Sequence, residues 1–209
     1  MTVLSIIGAG GHGKVVADAA IASGEWSQIK FYDDSYPSRQ NCLDFSIAGT
    51  VEDLISSSDS SAVIVAVGNN LLRINLIHRL KNCGFRIATI VHPSAVISRY
   101  AKVGEGSVVF AGAIINANAS VGIGCIVNTR AVIEHDCNLD YAVHISPAAA
   151  LAGGVKVGAL TWIGIGAAVI QGIDIGENCI IGAGASVIND IPANLKAVGV
   201  PAKIMNSKR

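Results

Sequence analysis

The chain has 209 residues, of which 15 are basic and 15 acidic, so its formal net charge is zero. Basic residues form no block, which argues against a nucleic-acid surface or an anionic membrane as a partner. The five cysteines form no CxxC pair, which predicts reduced thiols in a cytoplasmic protein.

An apolar run at residues 3–7 predicts the first strand, and a glycine loop and a helix at 15–23 follow it. The run lacks a basic segment before it, so a strand is favoured over a signal peptide. Residues 106–129 carry no charge, but they hold polar residues and keep the repeat described below. We therefore expect no membrane insertion.

Further strands are predicted at 29–32, 62–67 and 86–91, with helices at 51–57 and 71–83. Alternating strands and helices predict a small parallel sheet covered on both faces. Residues 1–90 are therefore expected to form an α/β, Rossmann-like domain.

The glycine loop reads Gly8-x-Gly10-x-x-Gly13, the dinucleotide fingerprint, and Asp33 and Asp34 follow the second strand. Such glycines let the backbone approach a pyrophosphate at a helix N-terminus. The alternative is a glycine-rich turn that binds no ligand. The strand-end loops are expected to converge at one edge of the sheet, which favours a real site.

From Val91 to Val187, every sixth residue is Val, Ile or Leu, which makes seventeen consecutive positions. Neither a helix nor a simple strand has this period, whereas a parallel β-helix does. Every eighteen residues the aliphatic is followed by a turn-type residue, at Gly104, Gly122, Asp140, Gly158 and Gly176. We take this as three hexapeptides per coil, with one corner that needs unusual backbone angles.

The residue four after the aliphatic is usually small, which lets the interior close, and Cys125, Cys137 and Cys179 occupy such positions. Residues 91–190 are therefore expected to form a left-handed parallel β-helix. The tail, 191–209, is expected to cap its exposed end.

His135 lies between Glu134 and Asp136, in the most charged part of the repeat. Neighbouring acids orient an imidazole for general-base catalysis, although a solvated turn would look the same. His144 follows half a coil later, so the two rings should point from different parts of one prism. They share a pocket more readily across the boundaries of a homotrimer. A catalytic zinc site needs three converging imidazoles, and with His92 far away no metal is expected.

Several motifs in order resemble the NeuD/PglD group of sugar acyltransferases over nearly the full chain. They are GAGGHGKVV, FYDD, VGNN followed by Arg73, VHPSA, VNTRAVIEHDC and VGVPAK. The resemblance implies a nucleotide-sugar domain joined to a left-handed β-helix. It is greatest to the bacterial UDP-4-amino-sugar N-acetyltransferases of bacillosamine-type pathways, and the sialic acid O-acetyltransferases share the layout.

The resemblance also implies roles for individual residues. His135 matches the general base and Asp136 the neighbouring acid, for which Glu134 is an alternative because relatives carry a longer Glu. Contacts to the co-substrate acetyl-CoA are implied for His144, Ile165 and Ala183. Contacts to the nucleotide sugar are implied for Gly10, Gly11, His12, Asp33, Asp34 and Gly68, and proximity adds Asn70 and Arg73.

The implied reaction is direct attack of a sugar amine on the thioester, with His135 accepting the proton. Three alternatives remain at this point. An O-acetyltransferase would keep the scaffold and change the acceptor, and a longer acyl-CoA would change the donor. A non-catalytic sensor of sugar nucleotides would use the β-helix only as a trimerisation stalk. The sequence leaves the nucleotide carrier and the sugar undecided.

Overall fold

The computed structural model describes residues 2–57 and 61–205. Two compact units meet in the sequence between Pro93 and Ser94, three residues after the boundary expected from the repeat. In the described part of the chain, no helix has the length and apolar character needed to cross a membrane.

The first unit is an α/β domain. Its elements are β1 (Val3–Ile7), α1 (Gly11–Ser23), β2 (Gln28–Tyr32), β3 (Asn41–Cys42), β4 (Phe45–Gly49), α2 (Val51–Ser56), β5 (Ala62–Val65), α3 (Asn70–Asn82) and β6 (Ile90–Val91). One sheet has the order β3-β4-β2-β1-β5, parallel except for the β3–β4 hairpin. Consecutive residues of β1 and β5 are buried, which shows that both faces of the sheet are covered. The predicted Rossmann-like domain is confirmed.

Local differences from the prediction have simple causes. The helix α1 begins at Gly11 rather than residue 15, because the second half of the glycine fingerprint already has helical backbone. The β3–β4 hairpin was not predicted, because β3 has only two residues and β4 ends in Ala48 and Gly49, residue types with low β propensity. Thr50 and Asp53 form a capping box that starts α2.

The second unit consists of two-residue strands joined by four-residue turns, with two later strands in the tail. The strands are β7 (Val96–Ile97), β8 (Lys102–Val103), β9 (Val108–Val109), β10 (Ile114–Ile115), β11 (Ser120–Val121), β12 (Ile126–Val127), β13 (Val132–Ile133), β14 (Asn138–Leu139), β15 (His144–Ile145), β16 (Ala150–Leu151), β17 (Lys156–Val157), β18 (Trp162–Ile163), β19 (Ala168–Val169), β20 (Asp174–Ile175), β21 (Ile180–Ile181), β22 (Ser186–Val187), β23 (Lys196–Val198) and β24 (Lys203–Ile204).

Every third strand of the repeat lies in the same parallel sheet, so each residue pairs with the one eighteen positions later, as Ile114 does with Val132. The predicted three hexapeptides per coil and the left-handed β-helix are confirmed. Aliphatic positions of the repeat are buried from Val109 to Val187, and the three interior cysteines are buried free thiols.

The glycines that immediately follow an aliphatic residue have a different structural role from the one predicted. From Val103 to Ile181, the left-handed backbone angles occur three residues after each aliphatic, as at Asn118 and Gly172, and not immediately after it. At Gly104, immediately after an aliphatic, a Cβ atom would lie 2.6 Å from the backbone carbon of Gly122 on the next coil. Close stacking of coils therefore requires these glycines, and the expectation of unusual backbone angles there was wrong.

The tail continues the pairing of the last coils. Ile191 bridges to Ile175, β23 pairs in parallel with β21, and β24 turns back antiparallel to β23. Residues 206–209 of the expected cap lie outside the described residues.

The stacking interpretation predicts that Gly158→Ala destabilises the β-helix by about 2 kcal/mol, because its Cβ would overlap with the backbone nitrogen of Glu177. Gly172→Asn is the matched control, since asparagine already occupies the same left-handed turn position at Asn118 and Asn178. We expect the control to change the free energy of unfolding by less than about 0.5 kcal/mol. Denaturant unfolding followed by circular dichroism measures both, and equal losses would contradict the interpretation.

Candidate active site

The candidate nucleotide-binding loops follow β1, β2 and β5. Because these strands are parallel, their carboxyl ends meet at one edge of the sheet. The backbone N–H of Ala9, after β1, donates a 2.6 Å hydrogen bond to Oδ2 of Asp33, after β2. The predicted convergence of these loops is confirmed.

The fingerprint glycines divide into two kinds. Gly8 has a φ of 104°, and a Cβ on Gly13 would overlap with the carbonyl oxygen of Gly8, so both are needed to fold the loop. Apart from adjacent residues and the nearby backbone of α1, no atom lies within 4 Å of the Cβ position at Gly10, Gly11 or Gly68. These three positions leave open space, and α1 begins at Gly11, after Gly10, with no side-chain cap. Uncapped N–H groups at a helix N-terminus favour an anion such as a phosphate.

The two aspartates have structural partners. Asp33 also accepts a hydrogen bond from the N–H of Ser35, and Asp34 accepts one from Val51 at the start of α2. Burial raises the pKa of Asp33, but its hydrogen bonds from Ala9 and Ser35 outweigh this and leave the pKa below its ordinary value. Asp33 therefore holds the glycine loop as an ionised carboxylate.

Arg73, in the first turn of α3, contacts the loop that follows β5. Its side chain is buried, and Nη1 donates to the carbonyl oxygens of Val67 and Gly68 at 3.0 and 3.2 Å. Nη2 donates to Oδ1 of Asn70 at 2.8 Å. Arg73 therefore stabilises the loop after β5 through these hydrogen bonds and places a positive charge next to it.

His12 lies in the first turn of α1 and is half-buried. Burial first, and then the positive charge of Arg73, lower its pKa from 6.5 to about 4. A neutral imidazole at this position can donate one hydrogen bond to a phosphate oxygen without carrying charge itself.

His135 projects from the corner between β13 and β14. Its Nδ1 lies 2.7 Å from Oδ2 of Asp136, whose backbone φ is 60°. A carboxylate only accepts, so Nδ1 carries the hydrogen and the lone pair lies on Nε2. Glu134 instead accepts a 2.8 Å hydrogen bond from Asn116. Of the two acids flanking His135, the structure thus brings Asp136 to the ring.

Gly153 is a neighbour of His135 that was not predicted from the sequence. It lies one coil after His135, and a Cβ on it would come within 2.5 Å of Cε1 and 2.6 Å of Nε2 of the imidazole. The ring therefore lies against a position that only glycine leaves open. The signal was available, because Gly153 is eighteen residues after His135.

His144 lies on β15, within a different sheet from β13 and β14. Its ring stacks on Trp162, one coil later, with an interplanar angle of 3° and a centroid distance of 5.6 Å. The indole N–H of Trp162 donates to Oγ of Ser146 at 2.6 Å. Trp162 was not predicted as a candidate site residue, although the eighteen-residue spacing places it directly beside His144.

A groove of about 380 Å³ runs beside this stack. Its lining includes His144, Ile165 and Ala183, the three residues predicted to contact acetyl-CoA. Trp162, Ile165 and Ile180 are exposed in or beside it. An apolar groove of this kind fits the thioester arm of an acyl carrier. Among the described residues, no group of three His, Cys, Asp or Glu side chains is arranged to hold a metal ion.

The pKa of His12 predicts how the stability of the N-terminal unit depends on pH. Below pH 6.5 the unfolded chain binds a proton that the folded chain rejects until about pH 4, so stability is full above 6.5 and falls below it. Between pH 7.5 and 5 this loss is about 2 kcal/mol. For the His12→Gln variant, the free energy of unfolding measured with urea should fall less between pH 7.5 and 5 than it does for the wild type. The difference should equal this amount. Identical losses in the two proteins would contradict the assignment.

Comparison with known proteins places the chain in a family. Residues 3–80 match the family described as PglD N-terminal domain. A curated UDP-N-acetylbacillosamine N-acetyltransferase of Bacillus subtilis is 39% identical over 110 residues. That match spans 52% of this chain and 51% of the relative, about half of each.

Two solved structures match nearly the whole chain. The acetyltransferase domain of PglB from Neisseria gonorrhoeae, in complex with acetyl coenzyme A, is 41% identical, with a TM-score of 0.93 over 97% of this chain and 98% of that one. A mutant of perosamine N-acetyltransferase from Caulobacter crescentus, in complex with CoA and GDP-perosamine, is 41% identical, with a TM-score of 0.95 over 99% and 98%. This chain belongs to the family of PglB- and PglD-type acetyltransferases.

Proposed function

We propose that the chain transfers the acetyl group of acetyl-CoA to the amine of a nucleotide-linked 4-amino sugar, with His135 as the general base. The observation that carries this proposal is the Nδ1–Asp136 hydrogen bond, which leaves Nε2 of a half-exposed imidazole able to accept a proton. Family members with acetyl coenzyme A, or with CoA and a nucleotide sugar, support the choice of substrates.

The chemistry follows from the state of the amine. A sugar amine attacks a thioester only through its lone pair, so a proton must leave as the nitrogen–carbon bond forms. Nε2 of His135 takes that proton while Asp136 stabilises the resulting imidazolium. The carbon–sulfur bond then breaks, and the imidazolium returns the proton to the departing thiolate. An acyl-enzyme is not needed, and the buried thiols of Cys125 and Cys137 are poorly placed to form one.

The groove beside His144 is the proposed position of the acetyl-CoA arm. Ile165 and Ala183 supply its walls, and the Trp162 stack keeps the imidazole of His144 in one orientation. Asn128 Nδ2 lies 3.2 Å from Nε2 of His144, while its Oδ1 accepts from the N–H of Thr129. The amide therefore donates to Nε2, and His144 carries its hydrogen on Nδ1.

The N-terminal unit is the proposed acceptor-binding domain. Open backbone at Gly10, Gly11 and Gly68 suits a diphosphate, with His12 as a neutral donor. We propose a UDP-linked 4-amino-4,6-dideoxy sugar of a bacillosamine-type pathway. A GDP carrier is the second candidate, because the perosamine N-acetyltransferase was solved with GDP-perosamine. A homotrimer, expected from the separation of His135 and His144 along the repeat, remains part of the proposal.

Release of free CoA thiol from acetyl-CoA tests the function. We expect turnover with a UDP- or GDP-linked 4-amino sugar and none with the matching 4-hydroxy sugar. Turnover confined to hydroxyl acceptors, such as a CMP-linked sialic acid, would replace the proposal with an O-acetyltransferase. Acceptor binding without turnover would support a sensor of sugar nucleotides.

Gly153→Ala should reduce kcat by about 100-fold. Its Cβ would overlap with the His135 ring and displace the imidazole, and a displacement of about 1 Å can cost a factor of about 100 in rate. Gln171→Ala is the matched control, because Gln171 is exposed and lies one coil further along the same column. We expect wild-type kcat in the control. Comparable kcat values in the two variants would contradict the proposed position of the imidazole.

A further inference from the structure

The carboxylate of Asp136 has two partners, one on each oxygen. Oδ2 contacts Nδ1 of His135 at 2.7 Å, and Oδ1 accepts a hydrogen bond from Nδ2 of Asn118 at 2.7 Å. Because a carboxylate only accepts, the group of Asn118 that faces it must be the amide NH₂. Asn118, Asp136 and His135 therefore form a chain of hydrogen bonds that ends at the imidazole.

The repeat explains why Asn118 meets Asp136. The two residues are eighteen positions apart, and both stand at left-handed turn positions, with φ values of 62° and 60°. The backbone N–H of Asp136 donates to the carbonyl oxygen of Ala117, which locks the two turns in register. Asparagine and aspartate are the residues other than glycine that adopt this conformation most readily.

We propose that Asn118 is a positioning residue for the acetyl transfer: it fixes the Asp136 carboxylate so that this short acid holds the His135 ring by Nδ1. The inference rests on the proposed function. Asp136 is more than half exposed, as is His135, so neither side chain is held by packing on its own. A hydrogen bond on the far oxygen stops the carboxylate from rotating away and leaves one oxygen directed at the ring.

Electrostatics agrees with this geometry. The Asn118 hydrogen bond, and after it the contact with His135, hold the pKa of Asp136 below its ordinary value. Asp136 is therefore an ionised carboxylate when His135 becomes protonated, and it can stabilise the imidazolium cation. An ionised acceptor also makes the hydrogen bond from Nδ1 charge-assisted once His135 is protonated.

The chain contains a matched pair for comparison. Asn178 stands at the same kind of turn position, with a φ of 51°, and its Nδ2 donates to Oδ1 of Asn194 on the following coil at 2.9 Å. Like the bond from Asn118, this bond joins two residues at left-handed turn positions, but it lies more than two coils away from His135 along the chain. If these side-chain hydrogen bonds only stabilised the fold, removing either one should have the same effect on kcat.

Asn118→Asp tests the inference without changing the size of the side chain. The new carboxylate cannot donate to Asp136 and repels it, so we expect kcat to fall on the order of tenfold, with the KM values for acetyl-CoA and acceptor unchanged. Asn118→Ala should show a similar loss. Asn178→Asp should retain kcat within about twofold, because the amide of Asn194 can turn and donate to it.

A second background separates positioning from general destabilisation. If Asn118 acts through Asp136, adding Asn118→Ala to Asp136→Asn should lower kcat no further. An Asn118→Asp enzyme with wild-type kcat, or losses that add in the double variant, would overturn the inference. The proposed function fails separately, if His135→Ala retains turnover. A His135-dependent enzyme that is indifferent to Asn118 would refute only this inference.

Discussion

Hydrogen bonding between coils eighteen residues apart is the constraint on which the rest of the β-helix depends. From β7 to β19, the backbone N–H of the first residue of each strand donates to a carbonyl oxygen on the coil that follows, as Ile114 does to Ala131 at 2.9 Å. The coils then stack so closely that several turn positions accept no Cβ atom. Side chains eighteen residues apart consequently form columns. The position of a side chain on one coil is therefore set by residues on the coils before and after it.

The candidate catalytic centre is an arrangement of this kind. Asn118 precedes Asp136 by one coil, and Gly153 follows His135 by one coil, so three coils define the position of one imidazole. The stack of His144 on Trp162 follows the same rule on another sheet. In the proposed mechanism, a half-exposed imidazole on a rigid column combines access to substrate with the fixed geometry that proximity catalysis requires.

Periodicity in the sequence predicted the β-helix because a strict six-residue repeat has no other common structural meaning. The convergence of the strand-end loops at one edge of the sheet was predicted because parallel strands bring such loops together. What the sequence did not predict depends on side-chain direction. The choice of Asp136 over Glu134, the burial of Arg73 and the space at Gly153 are set by turn geometry and by contacts between coils, which the order of residues alone does not display.

The central claim is that His135 accepts the proton of the attacking amine, and His135→Ala tests it most directly. Measured with a turnover-competent amino-sugar nucleotide, kcat should fall by about 10² to 10⁴. Calorimetric binding of acetyl-CoA should be retained, because the groove beside His144 lies on a different sheet from β13 and β14. A variant that turns over within threefold of the wild-type rate would contradict the account.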